Sequence, residues 1–274
     1  MTSERLSASA EGASVLPTAH CPLPTLDQMA PIGLEDMKAV RLMNRVDQKY
    51  MASADLLEEL LARVADGYYV QHIEGNPLAP YRTLYFDTAE LAMYTMHHNK
   101  KLNRQKLRVR TYRSTDTTFF EIKNKDNKKK TRKVRIPVDV AMFDRVLEVP
   151  EVAQFVDRNT PYPIASLHPC LENRFERITL VDRGMSERIT IDRGITFHNR
   201  ATGLDADISR LLVIEVKHEV GAPMSDIERA LHELHVLPRR MSKYCIGTAL
   251  TDPAAKYNRF KPKLLFIKKI HNAL

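Results

Sequence analysis

The residues most able to do chemistry in this chain are cations set two apart. Between positions 100 and 135 stand 15 Lys or Arg against 3 Asp or Glu, a local net of +12. Side chains two apart on a strand share a face. At that spacing Arg104, Lys106, Arg108 and Arg110 form one row, with Leu107 and Val109 opposite. Phe119, Glu121, Lys123 and Lys125 form a second row, opposite Phe120 and Ile122. Lys133 and Arg135 form a third, opposite Val134 and Ile136. Farther on, Arg188, Thr190 and Asp192 oppose Ile189 and Ile191, and Glu215 and Lys217 oppose Leu212, Ile214 and Val216. Arg suits phosphate oxygens through paired hydrogen bonds, and Lys through a point charge. Carboxylates placed among such cations can hold a divalent metal by hard oxygen ligands.

A solvated charged face explains any one of these strands. Five strands of the same pattern are harder to explain that way, because a flat face of cations repels itself. A closed barrel with a charged lumen answers this, since closure sends alternate residues of every strand into one cavity. The expected fold class is therefore α+β, a closed antiparallel eight-stranded β-barrel tunnel with helices packed outside.

The elements that would position these rows can be read in outline. MNRVDQKYMAS reads as a strand running into a helix start. Ser53 is its N-cap and Leu56, Leu57, Leu60, Leu61 and Val64 its apolar stripe, ending near Gly67. Residues 81–88 read as a strand, with Thr88 capping a short helix through Leu91 and Tyr94. Residues 100–137 read as three strands with turns near Ser114–Thr117 and Asp126–Asn127. Further strands are expected at 171–181, 186–193 and 211–219. A helix is expected over 225–237, where Ser225 and Glu228 stand at capping-box spacing and Pro238 stops it.

The 274 residues carry a net charge of +8, so outside the basic segment 27 basic face 31 acidic residues. The 43% hydrophobic content fits a folded domain. No apolar run reaches the ~18 residues of a bilayer span. No secretory signal pattern is present. Cys21, Cys170 and Cys245 suggest neither a disulfide framework nor a zinc site, so a cytoplasmic setting is the simplest reading. Three segments are expected: a flexible tail at 1–36, the domain at 37–252, and a basic tail at 253–274. The last either packs as one more element, the favoured reading, or touches a membrane surface or partner.

Nine stretches then stand in a telling order. They are R-V-D-Q-K-Y (45–50), L-Y-F-D-T (84–88), K-L-R-V-R-T-Y (106–112), F-F-E-I-K (119–123), R-K-V-R (132–135), R-F-E-R (174–177), E-R-I-T-I-D (187–192), V-I-E-V-K (213–217) and M-S-K-Y (241–244). In this the chain resembles the VTC domain, the polyphosphate-polymerase branch of the CYTH-like triphosphate tunnel metalloenzymes. The resemblance implies that Lys49, Arg108, Arg110, Lys123, Lys133, Arg177, Arg188 and Lys243 line the tunnel as the catalytic cations. Arg45, Lys106, Arg135, Lys217 and Ser242 join them in binding substrate. Glu215, with Glu121 and Asp47, is assigned the metal, Mn2+ or Mg2+. Asp47 stands where relatives often carry Glu, and Phe175 where Tyr is common.

The implied activity is transfer of the γ-phosphoryl of ATP onto polyphosphate. The alternatives are a tunnel triphosphatase acting on inorganic or nucleoside triphosphate, and a polyphosphate- or polyanion-binding module without catalysis. ATP and polyphosphate, or another polyphosphate anion, are the expected partners. A separate membrane protein would be needed for work at the cytoplasmic face of a membrane. Nucleic acid is disfavoured, because Trp is absent and aromatics are 7%. There is no G-x-x-x-x-G-K-[ST] and no G-x-G-x-x-G. His232 and His235 could share a metal but lack a third ligand, so a solvated helix face is the better reading.

Overall fold

A computed structural model describes residues 23–39, 45–128 and 130–272. Eleven strands among these residues make one sheet. They are β1 (Pro31–Ile32), β2 (Arg45–Ser53), β3 (Tyr68–Gln71), β4 (Ala79–Asp87), β5 (Arg104–Tyr112), β6 (Thr117–Lys125), β7 (Thr131–Val138), β8 (His168–Asp182), β9 (Glu187–Asn199), β10 (Asp205–Asp207) and β11 (Leu211–Glu219). Eight of them form the path β2-β11-β9-β8-β4-β5-β6-β7. Every neighbouring pair on that path is antiparallel. The fold class is α+β, a large antiparallel sheet with helices.

The sheet curls around its charged face. Ser242 bonds Lys106 on β5, while the adjacent Lys243 bonds Asp192 on β9. Laid flat, those strands would stand three spacings apart, about 14 Å. Lys123 on β6 also feels the charges of Glu215 on β11 and Lys49 on β2. Flat, β6 and β11 would be about 24 Å apart. Only a concave face brings these groups together.

The curl does not close into the expected barrel, because β2 and β7 end the path without pairing to each other. Both edges show why. The outer edge of β2 is taken by residues 238–239: Tyr50 bridges Pro238, and the Arg239 N–H donates to the Lys49 carbonyl at 2.7 Å. On β7, Pro137 has no N–H to give to a further strand. Exposed Arg132, Lys133 and Arg135 also charge that edge, as edge strands commonly are.

Apolar residues on the convex face hold the helices. One cluster packs Ile178, Leu180, Ile189, Ile191, Leu212 and Ile214 against α1 (Pro24–Gln28), α2 (Leu57–Val64) and α5 (Asp226–Glu233). A second packs Leu84, Leu107, Val109, Phe120 and Ile122 against the 3-10 segment Val140–Glu148 and α4 (Pro150–Asn159). On the concave side, the apolar part of β8, β9 and β11 is covered by α3 (Ala92–His98), α6 (Lys243–Thr251) and α7 (Lys261–His271).

The caps behave as their chemistry requires. Ser53 Oγ accepts from the Asp55 N–H, and Glu228 accepts from the Ser225 N–H. The short helix after β4 begins at Ala92, whose N–H donates to Thr88 Oγ1 at 3.1 Å, and the Asp87 carboxylate accepts from Met93 and Tyr94. Both terminal segments carry structure that their composition hides. Leu26, Met29 and Ile32 are buried within the expected N-terminal tail, whose residues 1–22 lie outside the described ones. Ile267 and Ile270 of α7 are buried within the expected C-terminal tail. Among the described residues no helix is long and apolar enough to cross a membrane.

Candidate phosphate-binding site

Three carboxylates lie on the concave face, each gripped by two cations. Glu215 meets Lys49 at 2.6 Å and Lys217 at 3.1 Å. Glu121 meets Arg108 at 2.5 Å and Lys133 at 3.0 Å. Asp192 takes a bidentate contact from Arg177, at 2.6 and 2.9 Å, and an ion pair from Lys243. Register explains most of these contacts. Glu215 sits directly opposite Lys49, Glu121 opposite Arg108, and Asp192 opposite Arg177. Lys243 instead comes from the start of α6.

Arg110 and Lys106 are held by neutral hydroxyls instead. Arg110 is 7% exposed; its Nε donates to Thr83 Oγ1 at 3.0 Å. Lys106 donates to Ser242 Oγ at 2.9 Å, and Ser242 also caps α6 by accepting from the Cys245 N–H. Tyr81 and Phe175 stack with ring centres 5.0 Å apart. Arg110 and Arg177 lie over both rings, and Lys243 lies 4.2 Å from the centre of Phe175. The aromatic pair holds guanidinium groups in place without cancelling their charge.

The electrostatics follow from this crowding. Burial raises Glu121, but Arg108, Arg110 and Lys133 outweigh it and hold the carboxyl at about 2. Lys217 and Lys49 do the same to Glu215, also about 2. Burial pushes the other way on the amines. Lys123 falls to about 8, through burial and then Lys106. Lys217 falls to about 8 through burial, with Glu215 resisting. Lys243 falls to about 8 through burial despite Asp192. Burial likewise lowers Lys106 and Arg110. The face holds positive charge under strain, which an anion relieves. Lys123 is solvent-exposed although protein surrounds it, as suits a residue lining a channel.

Two acids on neighbouring strands could meet a divalent metal at one part of the face. Glu215 is ionised and reaches solvent, with 20% of its side chain exposed. Asp47 lies diagonally across the β2–β11 ladder, opposite Lys217 and two residues from Lys49. Mg2+ and Mn2+ need only one or two carboxylates when substrate phosphates and waters supply the rest. Glu121 does not join them. It stands on β6 between Arg108 and Lys133, 1% exposed. Among the described residues no group of three or more His, Cys, Asp or Glu could cage a metal. The donor set suits an ion carried in with phosphate, not one held by protein alone.

The remaining residues named from sequence fall as follows. Arg188 on β9 is half-buried and opposite Lys217. Arg135 is exposed and lies 4.1 Å over the Phe119 ring. Arg45 opens β2 opposite Glu219. Among the described residues, His232 and His235 belong to no group of three or more possible metal ligands. Sequence reasoning missed the β4 face, although Tyr81, Thr83 and Tyr85 alternate as plainly as the charged rows. It also missed His97 on α3. Burial, then Lys106, Arg104, Lys125 and Lys123, hold that imidazole down at about 2, so it stays neutral beside the cations.

The fold and site together define an antiparallel sheet curled around a cationic, phosphate-compatible face. The chain belongs to the VTC domain family, which it matches over residues 44–251. No curated protein matches it. Among solved structures it is similar to a candidate adenylate cyclase from Vibrio parahaemolyticus, with 10% identity, 75% of this chain and 99% of that one covered, and TM-score 0.43. It is also similar to one from Bacillus halodurans, with 14% identity, coverage of 80% and 96%, and TM-score 0.43. A third is a candidate adenylyl cyclase from Hippeastrum described as having a dominant triphosphatase activity, with 12% identity, coverage of 81% and 96%, and TM-score 0.38.

Proposed function

We propose that the chain is a metal-dependent phosphotransferase of the polyphosphate-polymerase type, moving the γ-phosphoryl of ATP onto a polyphosphate end. The observation that carries this is the surplus of charge on one concave face. Among the described residues, Lys49, Lys106, Arg108, Arg110, Lys123, Lys133, Arg177, Lys217 and Lys243 stand against Asp47, Glu121, Asp192 and Glu215, nine cations to four acids. A chain of phosphates supplies the missing negative charge.

Phosphoryl transfer asks a protein mainly for positioning and charge stabilisation. An anionic oxygen of the acceptor attacks the γ-phosphorus in line, the new P–O bond forms, and the bond to the ADP oxygen breaks. No protein nucleophile is needed, and the acceptor oxygen needs no base at neutral pH. Arg110, Arg177 and Lys243 would hold the equatorial oxygens, with the Tyr81–Phe175 pair fixing their position. Glu215 and Asp47 would hold the divalent ion, which when bound supplies further neutralisation of phosphate charge.

The test is purified protein with ATP and Mn2+. A phosphate polymer is the expected product, and Glu215→Gln should abolish its formation while inorganic triphosphate still binds. If free phosphate is the sole product, the chain is a triphosphatase and the polymerase reading fails. If ATP is unchanged by the wild-type protein while triphosphate binds, the face is a binding module.

A further inference from the structure

The start of α6 brings two side chains to the phosphate face. Ser242 holds Lys106, and Lys243 pairs with Asp192. Lys243 is also repelled there by Arg177 and Arg110. A helix start that carries a cation against such repulsion needs a hold from elsewhere in the fold.

The next residue supplies it. Tyr244 is 1% exposed, and its hydroxyl donates to the carboxylate of Asp87, the last residue of β4. Asp87 is fully buried. Its Oδ1 accepts from the Thr88 N–H at 2.8 Å and the Met93 N–H at 2.9 Å. Its Oδ2 accepts from the Tyr94 N–H at 2.8 Å and from Tyr244. A carboxylate has about four acceptor positions, so all of them are filled, each by a neutral donor. Capping α3 alone does not call for a buried charge, because an Asn or Ser side chain caps as well. The second oxygen reaches beyond the cap to α6. The Tyr244 ring stacks on Tyr85 with centres 5.1 Å apart and meets Tyr94 edge-on at 6.2 Å. Tyr85 in turn lies opposite Arg108 and bonds it. One buried acid thus joins β4, α3 and α6 behind the cations.

We propose that Asp87 is a positioning residue for the phosphate face: through the Tyr244 hydroxyl it fixes the first turn of α6 and so keeps Lys243 where phosphate binds. The proposal rests on the phosphate-binding part of the phosphotransferase reading and adds to it the group that sets where Lys243 stands.

The experiment is calorimetric titration of the full chain with inorganic triphosphate and Mn2+, in a double-mutant cycle of Tyr244→Phe and Lys243→Met. Tyr244→Phe keeps the ring contacts and removes the hydroxyl. It should weaken triphosphate about tenfold, the scale of one hydrogen bond to a charged group. In the Lys243→Met background the same change should cost less than about twofold, because the group it positions is gone. The fall in affinity above pH 8 should also become shallower by the same amount in Tyr244→Phe and in Lys243→Met, since each takes one titrating lysine out of the face. Equal losses in both backgrounds, no loss in either, or an unchanged pH profile would overturn the positioning role and leave the phosphate face standing. If wild type does not bind triphosphate, both readings fail. Hydrogen exchange on the wild type guards against a Tyr244→Phe variant that does not fold. Triphosphate should slow the Met93 and Tyr94 amides, which donate to Asp87, together with the amides of residues 243–247. Protection that stops within α6 would overturn the proposal.

Discussion

Arg110 shows what one residue contributes when its charge is kept for a ligand. It is buried, its Nε bonds the neutral Thr83 hydroxyl, and rings flank it where an acid could stand. Burial and then Arg108 make its charged form harder to hold. A buried cation without an ion-pair partner carries a desolvation cost that an apolar side chain of similar length does not. Arg110→Met should therefore raise the melting temperature of the free protein by several degrees. It should weaken inorganic triphosphate at least tenfold. Differential scanning fluorimetry and titration read the two effects. A lower melting temperature with unchanged triphosphate affinity would remove Arg110 from the site. The two-residue spacing made the alternation of Glu121, Asp192 and Glu215 visible in the sequence. Which cations grip them was not visible, because Lys133 and Lys49 arrive by register and Lys243 by a helix start.

At the scale of elements, local chemistry decided what could be read. Turn residues and alternation marked β5, β6 and β7, and caps at Ser53 and Ser225 marked two helices. The α6 segment KYCIGTALT left no helical period, because nearly every residue in it is buried and no polar face remains to contrast. Gly247 weakens the helical signal further. Its presence has a packing cause. A Cβ at position 247 would come 2.5 Å from the Phe197 ring and 2.6 Å from Leu171. Both side chains are buried, at 3% and 0% exposure, and have no room to withdraw. Helix propensity alone favours Gly247→Ala by about 1 kcal/mol. Overpacking costs about 1–3 kcal/mol or more and wins. Gly247→Ala should lower stability in urea titration. It should also weaken triphosphate binding, because α6 would shift and carry Ser242 and Lys243 with it. A stabilised Gly247→Ala variant would show that α6 is loosely seated on β8 and β9.

The whole molecule is a sheet wrapped around charge that it does not neutralise itself. Its edge between β2 and β7 stays open because Pro137 and the 238–239 segment deny those strands a partner, a detail that alternation alone could not reveal. The trapped charge sets how the molecule should respond to pH and ligand together. Lys123, Lys217 and Lys243 sit at about 8 in the folded protein against 10.5 for the ordinary side chain. Between those values the unfolded chain holds more protons, so these lysines make the free protein more stable as pH rises from 8 toward 10.5. Triphosphate affinity changes in the opposite sense, because the same lysines are cationic below about 8 and lose charge above it. Binding above pH 8 must therefore draw protons from solution. At a hundredfold excess over Kd a ligand adds about 2.7 kcal/mol. That corresponds to roughly 5–10 °C for a domain of this size. Inorganic triphosphate at fixed concentration should give a shift of that order at pH 7, and the shift should shrink steadily to pH 9.5. Orthophosphate should give little at either pH, since it cannot span several cations. A triphosphate shift independent of pH, or matched by orthophosphate, would place the ligand outside the lysine-lined face.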